Sequence, residues 1–303
     1  MLPLHDAPLP RRRAFLAGLL AAPAIAKAAA SEIGIVASFS VLADMARRVG
    51  GGLVRVTSLV SPETDAHVYQ PTAADSRALG SAALLIENGL GLEGWMARLG
   101  GASGFHGKRI AASATVEQRL MREGAATSVD PHAWQNPRNG MIYVRNIAEG
   151  LASADPHHAD IYRTNAADFA AEIERLDQWI ADRFAAIPEA ARRIVTTHDA
   201  FGYYGDRYGI AFLAVEGLST DAEPSAKAIR ALVAQIRREA VRTVFLENMT
   251  DPRLAAMLAR EAGATISGPL YSDALSKADG PAPNYLAMLR HNSVLFERAM
   301  RPA

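Results

Sequence analysis

Three histidines and one aspartate stand in unusual local contexts along this chain of 303 residues: His67, His132, His198 and Asp273. Three imidazoles and a carboxylate make a complete ligand set for one transition-metal ion. No two of these residues are close enough in sequence to form a local motif such as His-Glu-x-x-His. If they meet, the fold must bring them together across a cleft, which favours capture of a metal ion over a small structural finger.

The elements that must position them form an alternating pattern from Glu32 onward. Short β-branched runs that predict buried strands cover 33–36, 54–57, 83–86, 193–196 and 242–246, and helical patterns between them cover 41–49, 73–81 and 225–240. Alternation of this kind is typical of α/β units around mainly parallel sheets. The sequence therefore predicts an α/β fold.

A long helical stripe interrupts this alternation between residues 159 and 187. Its apolar side chains recur at steps of three and four residues, at Tyr162, Ala166, Phe169, Ile173, Leu176, Ile180, Phe184 and Ile187. At 1.5 Å per residue such a helix is about 43 Å long. We interpret it as a rigid strut over 158–188 that joins an N-terminal α/β lobe (31–157) to a C-terminal α/β lobe (189–303). The alternative is a long helix that covers a single sheet.

The first 30 residues have the features of a secretory signal peptide. Arg11-Arg12-Arg13-Ala14-Phe15-Leu16 precedes an apolar run over 17–26 that is too short to span a membrane, and cleavage is expected after Ala28 or Ala30. The paired arginines followed by x-Phe-Leu resemble a twin-arginine export signal, with an ordinary secretion signal as the alternative.

The composition agrees with a periplasmic protein. The chain has no cysteine, so we expect neither disulfides, nor thiolate ligands, nor a lipid attached through cysteine. Cleavage after Ala30 removes four basic residues and one acidic residue and leaves a net charge of −3. Nucleic acid is therefore not an expected partner. We expect a soluble monomer in the periplasm.

Each candidate ligand also has an ordinary explanation when it is taken alone. Asp130-Pro131, like Asp155-Pro156 and Asp251-Pro252, matches the start of a helix with Asp at the N-cap and Pro in the first turn. Around His132, however, the neighbouring Trp134 indicates a stiff turn rather than a smooth helix start. Both interpretations of His132 stay open on the residues alone.

The positions of the other candidates favour a shared site. His67 and His198 follow predicted strands, and Asp273 lies in a loop beyond a short apolar run. Ligands of α/β sheets bind at the carboxyl ends of the strands. Their joint placement predicts a cleft.

At this point the chain resembles the metal-specific solute-binding proteins of ABC importers, the zinc and manganese group. Four segments carry the resemblance, in the family's order: Asp65-Ala-His67-Val-Tyr69-Gln-Pro71-Thr72, Asp130-Pro-His132-Ala-Trp134, His198-Asp-Ala-Phe-Gly-Tyr-Tyr-Gly-Asp-Arg-Tyr-Gly209, and Tyr271-Ser-Asp273-Ala-Leu-Ser276 followed by Gly280-Pro-Ala-Pro283. It covers essentially the whole mature chain. It implies two α/β lobes bridged by one long helix, with metal bound between them by His67, His132, His198 and Asp273.

The chain departs from the family pattern without losing a ligand. Ala66, Gln70 and Asn136 stand where the family often has Pro, Glu and Asp, and the His-rich or acidic loop of some zinc importers is missing before His132. The donor of the metal therefore stays open, and a periplasmic metallochaperone is one candidate.

The resemblance also bears on the metal. Manganese members usually have Glu at the third ligand position, so His198 favours zinc. Three imidazoles and a carboxylate suit tetrahedral Zn²⁺, whereas Mn²⁺ prefers more oxygen ligands. We expect Zn²⁺ as the transported ligand, with Mn²⁺ as the alternative, and delivery to an ABC permease in the inner membrane.

An enzyme is not expected. A secreted metallohydrolase, the competing class, keeps three protein ligands and an open water site on its zinc. The sequence also contains no Gly-x-Ser-x-Gly or His-Glu-x-x-His motif.

Overall fold

The computed structural model describes residues 32–123, 126–214, 217, 220 and 224–301. The predicted signal peptide lies outside the described residues and stays a prediction. No helix in the described part of the chain is long and apolar enough to cross a membrane.

Parallel sheets form the framework that carries the candidate ligands. The described strands are β1 (Ile33–Phe39), β2 (Val54–Val60), β3 (Leu84–Glu87), β4 (Lys108–Ala111), β5 (Leu120–Glu123), β6 (Ala126–Val129), β7 (Arg193–Val195), β8 (Ala211–Leu213), β9 (Thr243–Glu247) and β10 (Thr265–Leu270). The first sheet has the order β2-β1-β3-β4 and the second has the order β10-β9-β7-β8. Both are parallel throughout, and β5 and β6 form a separate antiparallel hairpin.

The two sheets share one topology. Read from its other edge, the second sheet has the order β8-β7-β9-β10, which repeats the order β2-β1-β3-β4 of the first. In such an order the chain reverses its direction of winding between the first and third strands, and ligands bind at the carboxyl ends of those strands. The equivalent positions are therefore the ends of β1 and β3 and the ends of β7 and β9.

Helices cover these sheets and connect them. The described helices are α1 (Ser40–Gly50), α2 (Ala73–Gly80), α3 (Met96–Ser103), α4 (Pro137–Ala154), α5 (Ala159–Ala185), α6 (Gly202–Tyr208), α7 (Ala226–Arg238), α8 (Pro252–Ala262) and α9 (Tyr285–Met300). Local sequence explains several starts. Thr72 and Asp75 form a capping box at α2, and Asp251 caps α8 with Pro252 in the first turn, as predicted. The mixed α/β prediction is confirmed.

The long helix α5 lies where its apolar stripe predicts. All eight stripe residues are buried, and the helix ends at Ala185, three residues before Pro188. It packs against α1 and α4, which precede it, and against α9, which follows it. We call the chain before α5 the first half and the chain after it the second half. The exact lobe boundaries near 157 and 188 stay predictions.

A buried carboxylate ties α5 to both halves. Asp177, only 5% exposed, accepts hydrogen bonds from Nε (2.9 Å) and Nη2 (2.6 Å) of Arg207 and from the hydroxyl of Tyr208 (2.7 Å), all in α6. Arg138 of α4 contacts it at 3.5 Å. Burial raises the pKa of Asp177, but the hydrogen bonds from Arg207 and Tyr208 outweigh burial and leave that pKa below its usual value.

We expect Asp177→Asn to lower the free energy of unfolding by about 2 kcal/mol, because it leaves the partly buried Arg207 without its counter-ion. A carboxyl with a lowered pKa stabilises the fold above its ordinary pKa of 3.8, and this contribution is lost as pH falls through the lowered value. Urea unfolding should therefore show a constant deficit at neutral and mildly acidic pH that shrinks in strong acid. Asp182→Asn, an exposed site on the same helix, serves as control and should change stability by less than about 0.5 kcal/mol. A deficit as small as the control's would contradict the role of Asp177.

Candidate metal centre

The four side chains singled out by the sequence converge on one point. His67 lies in the loop between β2 and α2, His132 between β6 and α4, His198 just after β7, and Asp273 just after β10. One potential ligand atom from each of them lies within 4.8 Å of the other three. The two sheets therefore bring together residues up to 206 positions apart (67 to 273) in a single cluster.

The distances in this cluster suit a small divalent cation. Asp273 Oδ2 lies 3.1 Å from His67 Nε2 and 3.2 Å from His198 Nε2, and Asp273 Oδ1 lies 3.6 Å from His132 Nε2. His67 Nε2 and His132 Nε2 are 3.2 Å apart. Ligand atoms about 2.0–2.2 Å from a tetrahedral zinc ion lie roughly 3.3–3.6 Å from one another. The spacing therefore fits coordination of one ion without a large rearrangement.

Burial makes a cation the natural partner of this cluster. The side chains of His132, His198 and Asp273 are 0% exposed and that of His67 is 5% exposed. Neither carboxylate oxygen of Asp273 has a hydrogen bond of ordinary geometry with another described group. A buried carboxylate normally has its oxygens satisfied by hydrogen bonds, an ion pair or a metal.

Carboxylates outside the cluster orient two of the imidazoles. Asp130 Oδ1 lies 2.9 Å from His132 Nδ1, and Glu247 Oε2 lies 2.7 Å from His198 Nδ1. A carboxylate at one ring nitrogen keeps the proton there and leaves the other nitrogen free to bind metal. Both histidines thus present Nε2 to the centre.

The structure corrects the helix-start interpretation of Asp130. A short 3₁₀ turn (Ala133–Gln135) follows His132, and α4 begins only at Pro137 with Asn136 as its N-cap. Asp130 instead accepts hydrogen bonds from the backbone amide and the ring of His132. The stiff-turn interpretation of this segment is confirmed.

Sequence reasoning missed Glu247 entirely. This residue ends β9, and its Oε1 accepts hydrogen bonds from the backbone amide and hydroxyl of Thr197 and from the amide of His198. The available signal was a lone acidic residue at the carboxyl end of a buried strand. It lies beside His198 only because β9 pairs with β7.

Tryptophans hold two of the loops in place. Trp95 Nε1 donates to the carbonyl of Ala66 at 2.9 Å, directly before His67. Trp134 Nε1 donates to the carbonyl of Ser272 at 3.0 Å, directly before Asp273. Trp134 therefore links the loop of His132, in the first half, to the loop of Asp273, in the second half.

The charges within the cluster are strongly coupled. Burial lowers the pKa of His198, but Glu247 and Asp273 outweigh burial and raise that pKa well above its usual value. Burial raises the pKa of Asp273, yet His132 and His198 hold it well below its usual value. A dication bound in the cluster would supply the positive charge that compensates the Asp273 carboxylate.

The equivalent crevice of the first half is filled by a side chain of the protein. Glu93 Oε1 accepts hydrogen bonds from the Ser38 hydroxyl (2.7 Å) and the Asn88 amide (2.6 Å), and Oε2 accepts one from the Gly89 amide (3.2 Å). These donors lie at the ends of β1 and β3. Burial raises the pKa of Glu93 to about 7. The Glu93 carboxylate therefore satisfies the polar groups at the ends of β1 and β3.

The remaining described histidines do not join the centre. His106 is exposed, His157 and His158 meet edge to face beside Asp155, and His291 contacts the carbonyl of Pro269. The candidate centre therefore contains only His67, His132 and His198 among the described histidines.

The family described as "Zinc-uptake complex component A periplasmic" (ZnuA) matches residues 35–299 of this chain. The chain belongs to this family. It is therefore a metal-binding, substrate-binding protein of an ABC importer and not an enzyme.

Individual relatives cover almost the whole chain. The manganese-binding lipoprotein MntA of Bacillus subtilis is 34% identical over 281 residues, which are 91% of this chain and 92% of MntA. The iron-binding protein YfeA of Yersinia pestis is 31% identical over 265 residues, 86% of this chain and 84% of YfeA. The periplasmic zinc-binding protein TroA of Treponema pallidum aligns in structure with a TM-score of 0.85 and 28% identity over 90% of this chain and 100% of TroA. The similar fold of TroA confirms the two-lobe architecture.

Replacing the carboxylate behind His198 should weaken metal binding. In Glu247→Gln an amide replaces the anion beside His198 Nδ1, and loss of such a partner typically costs 10–100-fold in metal affinity. Competition titration with a zinc chelator measures this change. Glu239→Gln, which alters a glutamate paired with Arg193 on the same half, is the control and should bind metal normally. Equal affinities for both variants would show that Glu247 does not orient His198.

Proposed function

We propose that this protein captures Zn²⁺ in the periplasm through His67, His132, His198 and Asp273 and delivers it to the permease of its ABC importer. The observation that supports this proposal is the convergence of the four buried donors within 4.8 Å. Two donors come from the loops of the first half and two from the second, so that a single ion would be held between them.

The donor chemistry supports zinc over manganese. Imidazole nitrogens suit zinc, whereas carboxylate, carbonyl and water oxygens suit manganese. The cluster supplies three imidazoles and one carboxylate, and its burial leaves little room for water. Tetrahedral coordination by four protein ligands would complete the shell of a zinc ion.

Manganese is the second candidate because the names of the relatives refer to different metals. MntA is called manganese-binding, YfeA iron-binding and TroA zinc-binding. All three proteins are similar to this chain over most of its length, so overall similarity does not decide which metal it binds.

Export, assembly and loading belong to the same proposal. We infer twin-arginine export from the paired arginines Arg12 and Arg13, and a monomer that is free in the periplasm because the chain has no cysteine for lipid attachment. Because the chain has no His-rich loop before His132, we also propose that a periplasmic metallochaperone loads the metal.

Competitive titration with zinc and manganese tests the choice of metal. The mature wild-type protein should bind one zinc ion tightly, and excess manganese should not displace it. His198→Ala should weaken zinc binding strongly, because it removes one ligand and leaves Glu247 buried without its partner. His198→Glu should shift the preference toward manganese, since it replaces a nitrogen donor with oxygens.

The control for this titration is His157→Ala, which removes a histidine outside the centre. If the wild-type protein prefers manganese, the proposed role in an importer stands and the choice of zinc as its metal is overturned. No tight binding of either ion would overturn the four-ligand site.

Zinc affinity should fall as pH falls. Metal binds deprotonated imidazole, so protons compete increasingly as pH drops through about 6.5. Glu247 and Asp273 raise the pKa of His198, so that proton competition at this ligand begins at a higher pH than for an ordinary imidazole. Chelator competition from about pH 8 to about pH 5 measures the slope. Full affinity at the acidic end would argue against three histidine ligands.

A further inference from the structure

One arginine of the first half connects a candidate ligand to the second half. Arg119 immediately precedes β5, and its Nη1 donates to Asp130 Oδ2 at 3.2 Å. Its Nε donates to Asp206 Oδ2 in α6 at 2.9 Å. Since Asp130 Oδ1 holds the ring and amide of His132, a continuous path of side chains runs from α6 to the centre.

Backbone hydrogen bonds and close packing fix the position of Arg119. Its backbone amide donates to the hydroxyl of Tyr203 at 2.8 Å, and its carbonyl accepts from the amide of Asp130 at 2.9 Å. The guanidinium lies so close to Gly202 that any Cβ there would collide with it. The glycine in the first turn of α6 therefore leaves the room that the Arg119 guanidinium uses to reach both carboxylates.

The electrostatics match this geometry. Burial lowers the pKa of Arg119, but the carboxylates of Asp130, Asp206 and Asp199 outweigh it and raise that pKa. The side chain of Asp130 is 0% exposed, whereas that of Asp206 is 66% exposed. One end of the path is thus fixed in the interior and the other lies at the surface.

We propose that Arg119 is a positioning residue that makes metal release depend on the contact between the β5–β6 hairpin and α6. This proposal rests on the proposed function of the centre. While Arg119 spans Asp130 and Asp206, Asp130 keeps the His132 ring aimed at the ion. When α6 moves away from Arg119, Asp130 loses its charged partner, the His132 ring gains freedom, and the ion leaves faster.

The test follows the release of zinc from the loaded protein after mixing with excess chelator. Arg119→Gln should release zinc about tenfold faster, in the range seen when groups behind a metal ligand are removed. Asp206→Asn should release it about threefold faster, because it breaks only the exposed contact. The double variant should be no faster than Arg119→Gln alone, since both changes cut the same path.

A variant without any change of charge sharpens the test. Gly202→Ala adds a methyl group that pushes the guanidinium away, and it should accelerate release at least as much as Asp206→Asn. Arg163→Gln is the matched control: Arg163 makes a two-pronged ion pair with Glu149 at 2.9 Å between α5 and α4, away from the centre, and its loss should leave release unchanged.

The outcomes separate the two proposals. A wild-type protein that binds neither zinc nor manganese overturns the proposed function and this positioning role with it. A wild-type protein that binds tightly, while Asp206→Asn and Gly202→Ala release zinc at the wild-type rate, overturns the positioning role alone. If Arg119→Gln does not fold, the exposed Asp206→Asn and the small Gly202→Ala decide the question. Rates that rise only in proportion to a loss of unfolding free energy would reduce Arg119 to a structural residue.

Discussion

A carboxylate buried beyond the reach of water needs hydrogen bonds, a positive charge or a metal ion to compensate it, and Asp273 imposes this constraint on the whole molecule. Its oxygens lie 3.1–3.6 Å from the Nε2 atoms of three histidines that reach it from three other loops. Each loop needs a strand or hairpin end to carry it and a hydrogen bond to fix it. The paired sheets, the tryptophans behind the loops and the carboxylates behind the rings all serve this one cluster.

Strong local periodicity made the framework predictable. In α5 and in the central strands, the local pattern of apolar and β-branched residues is enough to identify the buried face. Weaker elements escaped prediction for physical reasons. Strand β4 is largely exposed on a sheet edge, and β8 has only three residues, Ala211–Leu213, whose conformation is set by pairing with β7. Such strands exist because a neighbour supplies hydrogen bonds, and the neighbour is distant in sequence.

The candidate site divides in the same way. The four candidate ligands could be named from sequence because each lies in a distinctive segment. Their convergence was a hypothesis that only the arrangement of two sheets could test. Glu247 could not be found, because its link to His198 spans 49 positions and arises from the packing of β9 beside β7. Asp130 was visible in sequence, but its Asp-Pro context suggested a helix cap rather than a partner for a ring nitrogen.

The repeated strand order gives the molecule two crevices of the same design, and in each of them a glutamate carboxylate accepts hydrogen bonds from backbone amides at the strand ends. In the second half, the ends of β7 and β9 supply His198 and its carboxylate partner to a shared centre. In the first half, Glu93 already occupies the corresponding crevice and takes up its backbone amides at Asn88 and Gly89. The first crevice therefore has a glutamate like the second, but no histidine of the candidate centre. Replacing Glu93 by a smaller residue would free the amides of Asn88 and Gly89, and it is the natural first step toward a second, independent binding pocket in this scaffold.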